Sequence, residues 1–318
     1  MQFVTVTAAA VSLADMPVTV LVPDDYGVGV LARLDGIRPV RYTPGEPLPT
    51  AAELAEVLVP AFLTGPESID LAGLPKLRLV QMLTAGTERW IGRLPDGVML
   101  SNARGAHGGS SAEWVVAALL TIYRDLFEFA DARRHRHWQY HQTDTLAGKR
   151  ILGIGAGDLG IELRRRLEAF DATLTLVGTT ARDGVHGVDE LPTLLGDFDA
   201  VVLMVPVTEQ TIGMVDAQFL AAMADGAILV NVARGPIVQT EALLAELDSG
   251  RLRAALDVTD PEPLPSDHPL WAAPGLLLTP HVAGSSRGSL DRAYAVVTAE
   301  IIRYVAGQPP KNLVRGDY

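Results

Sequence analysis

Gly155-Ala156-Gly157-Asp158-Leu159-Gly160 stands between an apolar run, Arg150–Ile154, and an amphipathic stretch that begins Ile161-Glu162-Leu163. A G-x-G-x-x-G turn leaving a strand and opening a helix has a physical cause at each glycine. The first makes a tight turn, the second lets backbone approach a pyrophosphate, and the third lets helix pack on strand. The helix start then offers unpaired N–H groups and a positive dipole end to phosphates. The unit fits a parallel α/β sheet that holds a dinucleotide, and it makes Gly155, Gly157, Asp158, Leu159 and Gly160 candidate cofactor contacts.

The rest of the chain repeats that alternation. Apolar runs at Val18–Val22, Pro39–Tyr42, Val57–Val59 and Leu79–Leu83 read as strands of a first doubly wound domain, with a helix over Val28–Leu34. Further strands are expected at Arg150–Ile154, Thr173–Val177, Ala200–Val205, Ala227–Val232, Ala254–Val258 and Leu276–Leu278, with helices at Leu159–Ala169, Leu191–Leu195, Ala217–Ala222 and Thr240–Asp248. Ser110 with Glu113 reads as a capping box that starts a helix running from Ala112 to about Phe129. Gly250 suits the end of the 240–248 helix, and Gly307-Gln308-Pro309-Pro310 must stop the last one, which begins near Ser289. The length of 318 residues suits two such domains.

Composition removes several function classes. The chain has no cysteine, so disulfides, thiolate metal sites and a cysteine nucleophile are excluded; no metal is expected. A net charge of −12 argues against general nucleic-acid binding. No apolar run is long enough to span a membrane, and residues 1–15, which lack a basic stretch, are expected as a loose tail rather than a signal peptide. A cytoplasmic setting suits these features. The basic run Arg133-Arg134-His135-Arg136-His137 reads as a solvated face or subunit contact.

Four segments in order resemble the D-2-hydroxyacid dehydrogenase family, most closely its glyoxylate/hydroxypyruvate reductases: Leu152–Gly160, Asn231–Val238, Ala254–Pro265 and Leu278–Gly284. The resemblance covers nearly the whole chain and is weakest before Leu79. It implies two doubly wound parallel-sheet domains, a Rossmann dinucleotide-binding domain (104–284) inserted in a smaller flavodoxin-like substrate domain (1–103 and 285–318). It implies hydride transfer between NAD(P)H and a small 2-keto acid to give a D-2-hydroxy acid. Other dehydrogenases of the family remain as alternatives, phosphoglycerate or phosphite among them, as does a nucleotide-sensing corepressor-like scaffold. Glu262, where formate enzymes carry glutamine, counts against formate.

Three residues carry the chemistry. Arg234, after a strand, suits a substrate carboxylate: a guanidinium gives two parallel hydrogen bonds and polarises the neighbouring ketone. His281, in Thr279-Pro280-His281, suits donation of a proton to the ketone oxygen. Glu262 is expected to pair with His281, fix its tautomer and favour its protonated form. By themselves, an arginine after a strand, a backbone-bonded histidine and a loop acid are each ordinary. Their order and spacing make the catalytic reading. The resemblance further implies that Thr84, Ala85 and Gly86 grip the substrate carboxylate through backbone N–H groups. It places Asp257 near the nicotinamide carboxamide, and Val205, Pro206, Thr211, Val232 and Gly284 along the ribose and nicotinamide.

NAD enzymes usually place an acid about 20 residues after the first glycine, on the ribose hydroxyls. Here the strand ends Gly178-Thr179-Thr180-Ala181-Arg182, with no acid before Asp183. Hydroxyls and a guanidinium suit a 2′-phosphate, so Thr179, Thr180 and Arg182 favour NADP over NAD. Thr259, where the family commonly has an aromatic, and Gln239, where it has an acid, remove no group the chemistry needs. Trp138 and the helix from Ala112 lie where the family builds a dimer arm, so a homodimer is expected.

Overall fold

The computed structural model describes residues 17–315; the tail expected at residues 1–15 lies outside the described residues. The chain divides into two compact units, residues 17–104 with 290–315, and Gly105–Ser289.

The first unit opens with β1 (Val18–Val22), α1 (Asp25–Leu31), β2 (Ile37–Arg41), β3 (Ala55–Leu58), β4 (Leu79–Gln81) and β5 (Met99–Ser101). They form one sheet in the order β2-β1-β3-β4-β5, parallel throughout. Val20, Leu21 and Val22 are wholly buried, as central strands of a covered parallel sheet require. Pro39 is tolerated because β2 is an edge strand. The first helix begins three residues before the expected Val28 because the Asp24 side chain accepts from Gly27 N at 2.7 Å and caps it. β5 was not expected: three residues give no periodicity to read. The Ser289–Val305 helix, the last in the chain, buries Ala293, Tyr294, Val297 and Ile301 along one stripe, and Gly307 (φ 70°) follows its end.

The second unit runs α2 (Gly108–Tyr123), α3 (Leu126–Arg134), β6 (Arg150–Ile154), α4 (Asp158–Glu168), β7 (Thr173–Gly178), β8 (Val185–Gly187) and α5 (Leu191–Leu194). It continues with β9 (Ala200–Leu203), α6 (Ala217–Ala222), β10 (Ile228–Asn231), α7 (Thr240–Asp248), β11 (Arg253–Leu256) and β12 (Leu276–Leu278). Its seven strands lie parallel in the order β12-β11-β10-β9-β6-β7-β8. Strand alternation feeds two cores. Val201 and Leu203 join one with Phe219 and Leu243, while Ala200 and Val202 join the other with Val115, Leu119 and Leu163. Both faces of the sheet are therefore covered, and the expected doubly wound α/β class is observed in both units.

Two local expectations are corrected. The Ser110–Glu113 capping box does not form: α2 starts at Gly108, and Ser110 Oγ donates to His107 O at 3.0 Å and Gly284 O at 3.4 Å. Gly108, the first residue of the helix, lies against the first turn of α4, where a Cβ would come within 3.2 Å of Leu159 N. Nor does one helix reach Phe129. It ends at Tyr123, and Asp125 takes a left-handed conformation (φ 48°) that turns the chain into α3. The Asp125 carboxylate receives His141 Nε2 at 2.9 Å, which holds the new direction. β8, also unexpected, pairs with β7 after a turn closed by two hydrogen bonds between Arg182 and Val185, each 2.9 Å. No helix among the described residues is long and apolar enough to cross a membrane.

Candidate active site

Parallel strands send their C-terminal ends to one edge of a sheet, and in the second unit every expected catalytic or cofactor residue except Gly284 falls at or just beyond that edge. The strand order reverses at β6, so the loops after β6 and β9 part around a crevice, the usual ligand position in such sheets. The glycine turn leaves β6 there. Gly155 has φ 117° and lies so close to β9 that a Cβ would meet Met204 O at 2.6 Å. Gly157 precedes α4, and a Cβ on it would find nothing within 4 Å. A Cβ on Gly160 would be 3.0 Å from Gly155 O and 3.1 Å from the Leu176 side chain, so helix and strand touch at this residue. The three glycines do separate jobs: a left-handed turn, an open approach to the helix start, and close packing. This cradle, at the N-terminus of an eleven-residue helix, fits the diphosphate of a dinucleotide.

Thr179 and Thr180 are exposed just past β7. The Arg182 guanidinium reaches back across them. Its Nη2 donates to Ala156 O at 3.2 Å, and its Nη1 would lie 3.0 Å from a Cβ on Gly178. A fixed positive charge thus sits between the end of β7 and the glycine turn. In the loop after β9, Thr211 Oγ1 accepts from Thr208 N at 2.8 Å and donates to Pro206 O at 2.7 Å, which ties Val205, Pro206 and Thr211 into one turn.

The loops after β10, β11 and β12 are neighbours because their strands pair in register, Asn231 with Leu256 and Leu256 with Leu278. Asn231 is wholly buried and clamps the first loop across Val232: its Nδ2 donates to Arg234 O at 2.9 Å and its Oδ1 accepts from Ala233 N at 3.0 Å. Arg234 is half-buried and its Nη1 donates to Ala233 O at 2.7 Å. The next residue, Gly235, is pressed against the backbone of Thr259 and Asp260 with no room for a Cβ, so the Arg234 loop seats on the loop that carries Glu262. Glu262 stands between two cis prolyl bonds, Asp260–Pro261 and Glu262–Pro263.

His281 Nδ1 and Glu262 Oε1 are 2.6 Å apart. The imidazole is about one-quarter exposed and the carboxylate two-fifths, so the pair faces outward from the sheet edge. His281 has φ 55°, a left-handed conformation uncommon for a side-chain-bearing residue. The loop is held there by Asp257, which is 2 % exposed. Asp257 Oδ1 accepts from Thr279 Oγ1 at 2.6 Å and Val282 N at 2.8 Å, its Oδ2 accepts from Ala283 N at 2.8 Å, and its main-chain oxygen accepts from His281 N at 2.7 Å. Both carboxylate oxygens of Asp257 are thus committed to the histidine loop. Gly284 ends that loop beside α2, with its oxygen toward Ser110 Oγ.

Sequence reasoning passed over Asn231, Thr279 and Ser110 as site residues. The first two were visible in the quoted motifs, where a polar residue ends an apolar strand. The spacing of Ser110 and Glu113 marks a helix cap, and only the folded loop shows the contact of Ser110 with Gly284.

Thr84, Ala85 and Gly86 lie in the first unit, where β4 ends. Ala85 is exposed and its neighbours are half-buried. The strand expected to reach Leu83 ends at Gln81, whose buried Nε2 donates to Met82 O at 3.1 Å and Asn102 O at 3.2 Å. Past Gly86 the chain enters a short turn, in which Trp90 N donates to Thr87 O at 2.8 Å, and not a helix.

Comparison with known proteins agrees with this arrangement. The model of the family described as "D-isomer specific 2-hydroxyacid dehydrogenase, NAD binding domain" matches residues 116–283, more than half of the chain. A glyoxylate reductase of Thermofilum pendens is 32 % identical over 265 residues, 78 % of this chain and 77 % of the relative. The structure of a D-isomer specific 2-hydroxyacid dehydrogenase from Xanthobacter autotrophicus Py2, solved with NADPH and MES, aligns with a TM-score of 0.81 at 30 % identity, covering 94 % of this chain and 98 % of that one. An NADPH-dependent glyoxylate/hydroxypyruvate reductase from Sinorhizobium meliloti, solved with NADP and sulfate, aligns with a TM-score of 0.79 at 25 % identity and covers 94 % and 98 % of the two chains.

Proposed function

Because the chain belongs to the D-isomer specific 2-hydroxyacid dehydrogenase family, we propose that it is an NADPH-preferring reductase of small 2-keto acids of the glyoxylate or hydroxypyruvate type, with a D-2-hydroxy acid as product. The observation that carries this reading is the 2.6 Å pair of His281 Nδ1 and Glu262 Oε1 at the same sheet edge as Arg234 and the glycine cradle.

A bound reduced nicotinamide supplies a hydride to the keto carbon. The protein's share is the proton and the orientation. With Nδ1 held by Glu262, His281 presents Nε2 to the substrate, and the proton leaves from that atom to the ketone oxygen. Glu262 sets the tautomer and stabilises the positive ring. Arg234 binds the carboxylate and polarises the ketone, its backbone kept still by Asn231. Backbone amides of the Thr84–Gly86 loop are proposed as further carboxylate donors.

Gly155, Gly157, Asp158, Leu159 and Gly160 would take the diphosphate through amides at the start of α4. Thr179, Thr180 and Arg182 would take the 2′-phosphate, and the placement of the Arg182 guanidinium beside Ala156 supports NADP over NAD. Val205, Pro206, Thr211, Val232, Asp257 and Gly284 are proposed to line the ribose and nicotinamide. Residues 104–284 are the proposed dinucleotide domain, and 1–103 with 285–318 the substrate domain. A homodimer is proposed through the segment after α2, where Leu126, Phe127, Trp138 and Tyr140 are 49 %, 53 %, 94 % and 90 % exposed. A cytoplasmic setting, where a reduced coenzyme pool is at hand, completes the proposal.

The test is oxidation of NADPH and NADH by purified protein across glyoxylate, hydroxypyruvate, pyruvate, phenylpyruvate and branched 2-keto acids, repeated with His281→Gln and Arg234→Ala. Either substitution is expected to lower turnover by at least about a hundredfold. Near-normal turnover in one of them removes that residue from the mechanism, and no turnover of any acid by the wild type overturns the reading.

A further inference from the structure

We infer that Gly178, the last residue of β7, is a positioning residue that sets coenzyme preference through Arg182: the space left by its missing side chain seats the guanidinium where a 2′-phosphate would meet it. This rests on the NADPH reading above and deepens it at a residue that reading leaves out.

Glycine weakens a strand and often marks a close approach. The backbone makes no demand for it here. Gly178 is extended, and it pairs in register with Gly187 of β8. The demand comes from space. A Cβ on Gly178 would stand 3.0 Å from Arg182 Nη1, 3.2 Å from Val185 Cγ1 and 3.8 Å from Ala156 Cβ. The first two distances are shorter than ordinary van der Waals contact. A side chain at 178 and the Arg182 guanidinium therefore compete for one volume.

Arg182 is held by its backbone while its side chain is aimed. Arg182 N donates to Val185 O and Val185 N donates to Arg182 O, each at 2.9 Å. Val185 is fixed in turn opposite Leu176 of β7. Glu190 secures the rest of β8: its Oε1 accepts from Gly187 N at 2.9 Å, and its Oε2 lies 2.8 Å from His186 Nδ1. With the backbone pinned, the guanidinium lies over Gly178 and its Nη2 donates to Ala156 O at 3.2 Å. That acceptor is a neutral carbonyl, so the guanidinium keeps its charge and further N–H groups for an anion. Ala156 belongs to the glycine turn, so the charge stands between the diphosphate cradle and the end of β7, where the adenosine ribose of a dinucleotide is read. A side chain at 178 pushes the guanidinium off this seat. The clash falls on the far end of a flexible side chain, so the aim is lost and the fold is kept.

The experiment titrates purified wild type, Gly178→Val, Arg182→Ala and the double variant with NADP, NAD, adenosine 2′,5′-bisphosphate and AMP by calorimetry, beside KM for NADPH and NADH with glyoxylate and thermal melting. Valine carries two methyls about 1.5 Å beyond its Cβ. Gly178→Val is expected to weaken binding of NADP and of the bisphosphate by at least about tenfold, the worth of roughly one charged hydrogen bond. Binding of NAD and AMP is expected to stay within about twofold, with kcat unchanged. The double variant is expected to bind as Arg182→Ala alone does, because both changes remove the same interaction. Gly178→Ala is expected to give a smaller loss of the same selectivity, and serves if the valine variant does not fold. An equal loss for the phosphorylated and unphosphorylated ligands overturns the inference. So do losses that add in the double variant, and so does wild-type NADP affinity in both Gly178 variants, whatever their Tm. In the last case a selective loss in Arg182→Ala leaves the NADPH reading standing. A wild type that binds NADP no better than NAD overturns the coenzyme reading itself and this inference with it.

Discussion

Asp257→Asn separates a loop anchor from a bystander. The wild-type carboxylate is buried and accepts three hydrogen bonds, from Thr279 Oγ1, Val282 N and Ala283 N. In the asparagine variant one oxygen becomes an NH2. With the remaining oxygen left to Thr279 and Val282, the new donor faces the Ala283 N–H, which loses its acceptor. A buried N–H left unpaired beside a second donor costs about 2–3 kcal/mol, and the two surviving bonds weaken from charge-assisted to neutral by about 1 kcal/mol each. Removing a buried charge returns some desolvation energy, so the net loss comes to about 3 kcal/mol. For a unit of this size 1 kcal/mol moves Tm by about 2–4 °C, which gives a fall of about 6–12 °C. The loop that relaxes is the one that holds His281 in its left-handed conformation. A shift of about 1 Å in His281, the proposed proton donor, is worth on the order of a hundredfold in kcat. Melting by differential scanning fluorimetry and kcat for glyoxylate with NADPH are the two readouts. A variant that melts with the wild type and turns over at the wild-type rate refutes the anchoring argument. One that melts normally but binds NADPH poorly leaves Asp257 with its proposed coenzyme contact alone.

Three further outcomes follow from the same geometry. Gly157→Ala is expected to leave Tm unchanged or slightly higher, since a Cβ there meets nothing within 4 Å and alanine narrows the unfolded ensemble, yet to weaken NADPH binding by at least about tenfold because the methyl takes the diphosphate's approach; unaltered affinity by calorimetry would place the phosphates elsewhere. Arg182→Ala is expected to raise KM for NADPH about ten- to a hundredfold, the worth of a charged hydrogen bond, and to leave KM for NADH unchanged; equal changes for both coenzymes would falsify the 2′-phosphate assignment. The double variant Phe127→Ser with Trp138→Ser is expected to turn a dimer into a monomer in light scattering after size exclusion, with little loss of Tm because both side chains are more than half exposed; a wild type that is itself monomeric ends the dimer proposal.

Much of this protein is legible in its sequence. Each glycine of Gly155–Gly160 answers to a local demand of φ, approach or packing, so its order in the chain suffices to foresee its job. The apolar runs of β6, β9 and β10 are long and unbroken because parallel strands are covered on both faces, and that pattern also survives in one dimension. The same holds for the His281–Glu262 pairing, whose spacing across the β11–β12 crossover was recognisable as a motif. Short elements were not readable: β5 and β8 have three residues each, too few for periodicity, and the Ser110–Glu113 pattern does not form a cap because Ser110 Oγ donates to His107 O and Gly284 O. What only the tertiary structure decided is which polar side chain holds which loop. Asn231, Asp257 and Asn102 each end or follow an apolar strand, and local sequence assigns them nothing beyond a turn. Asn231 bonds within its own loop, two and three residues on, whereas Asp257 and Asn102 take partners twenty-six and seventeen residues away, and those distances close only when neighbouring strands fall into register.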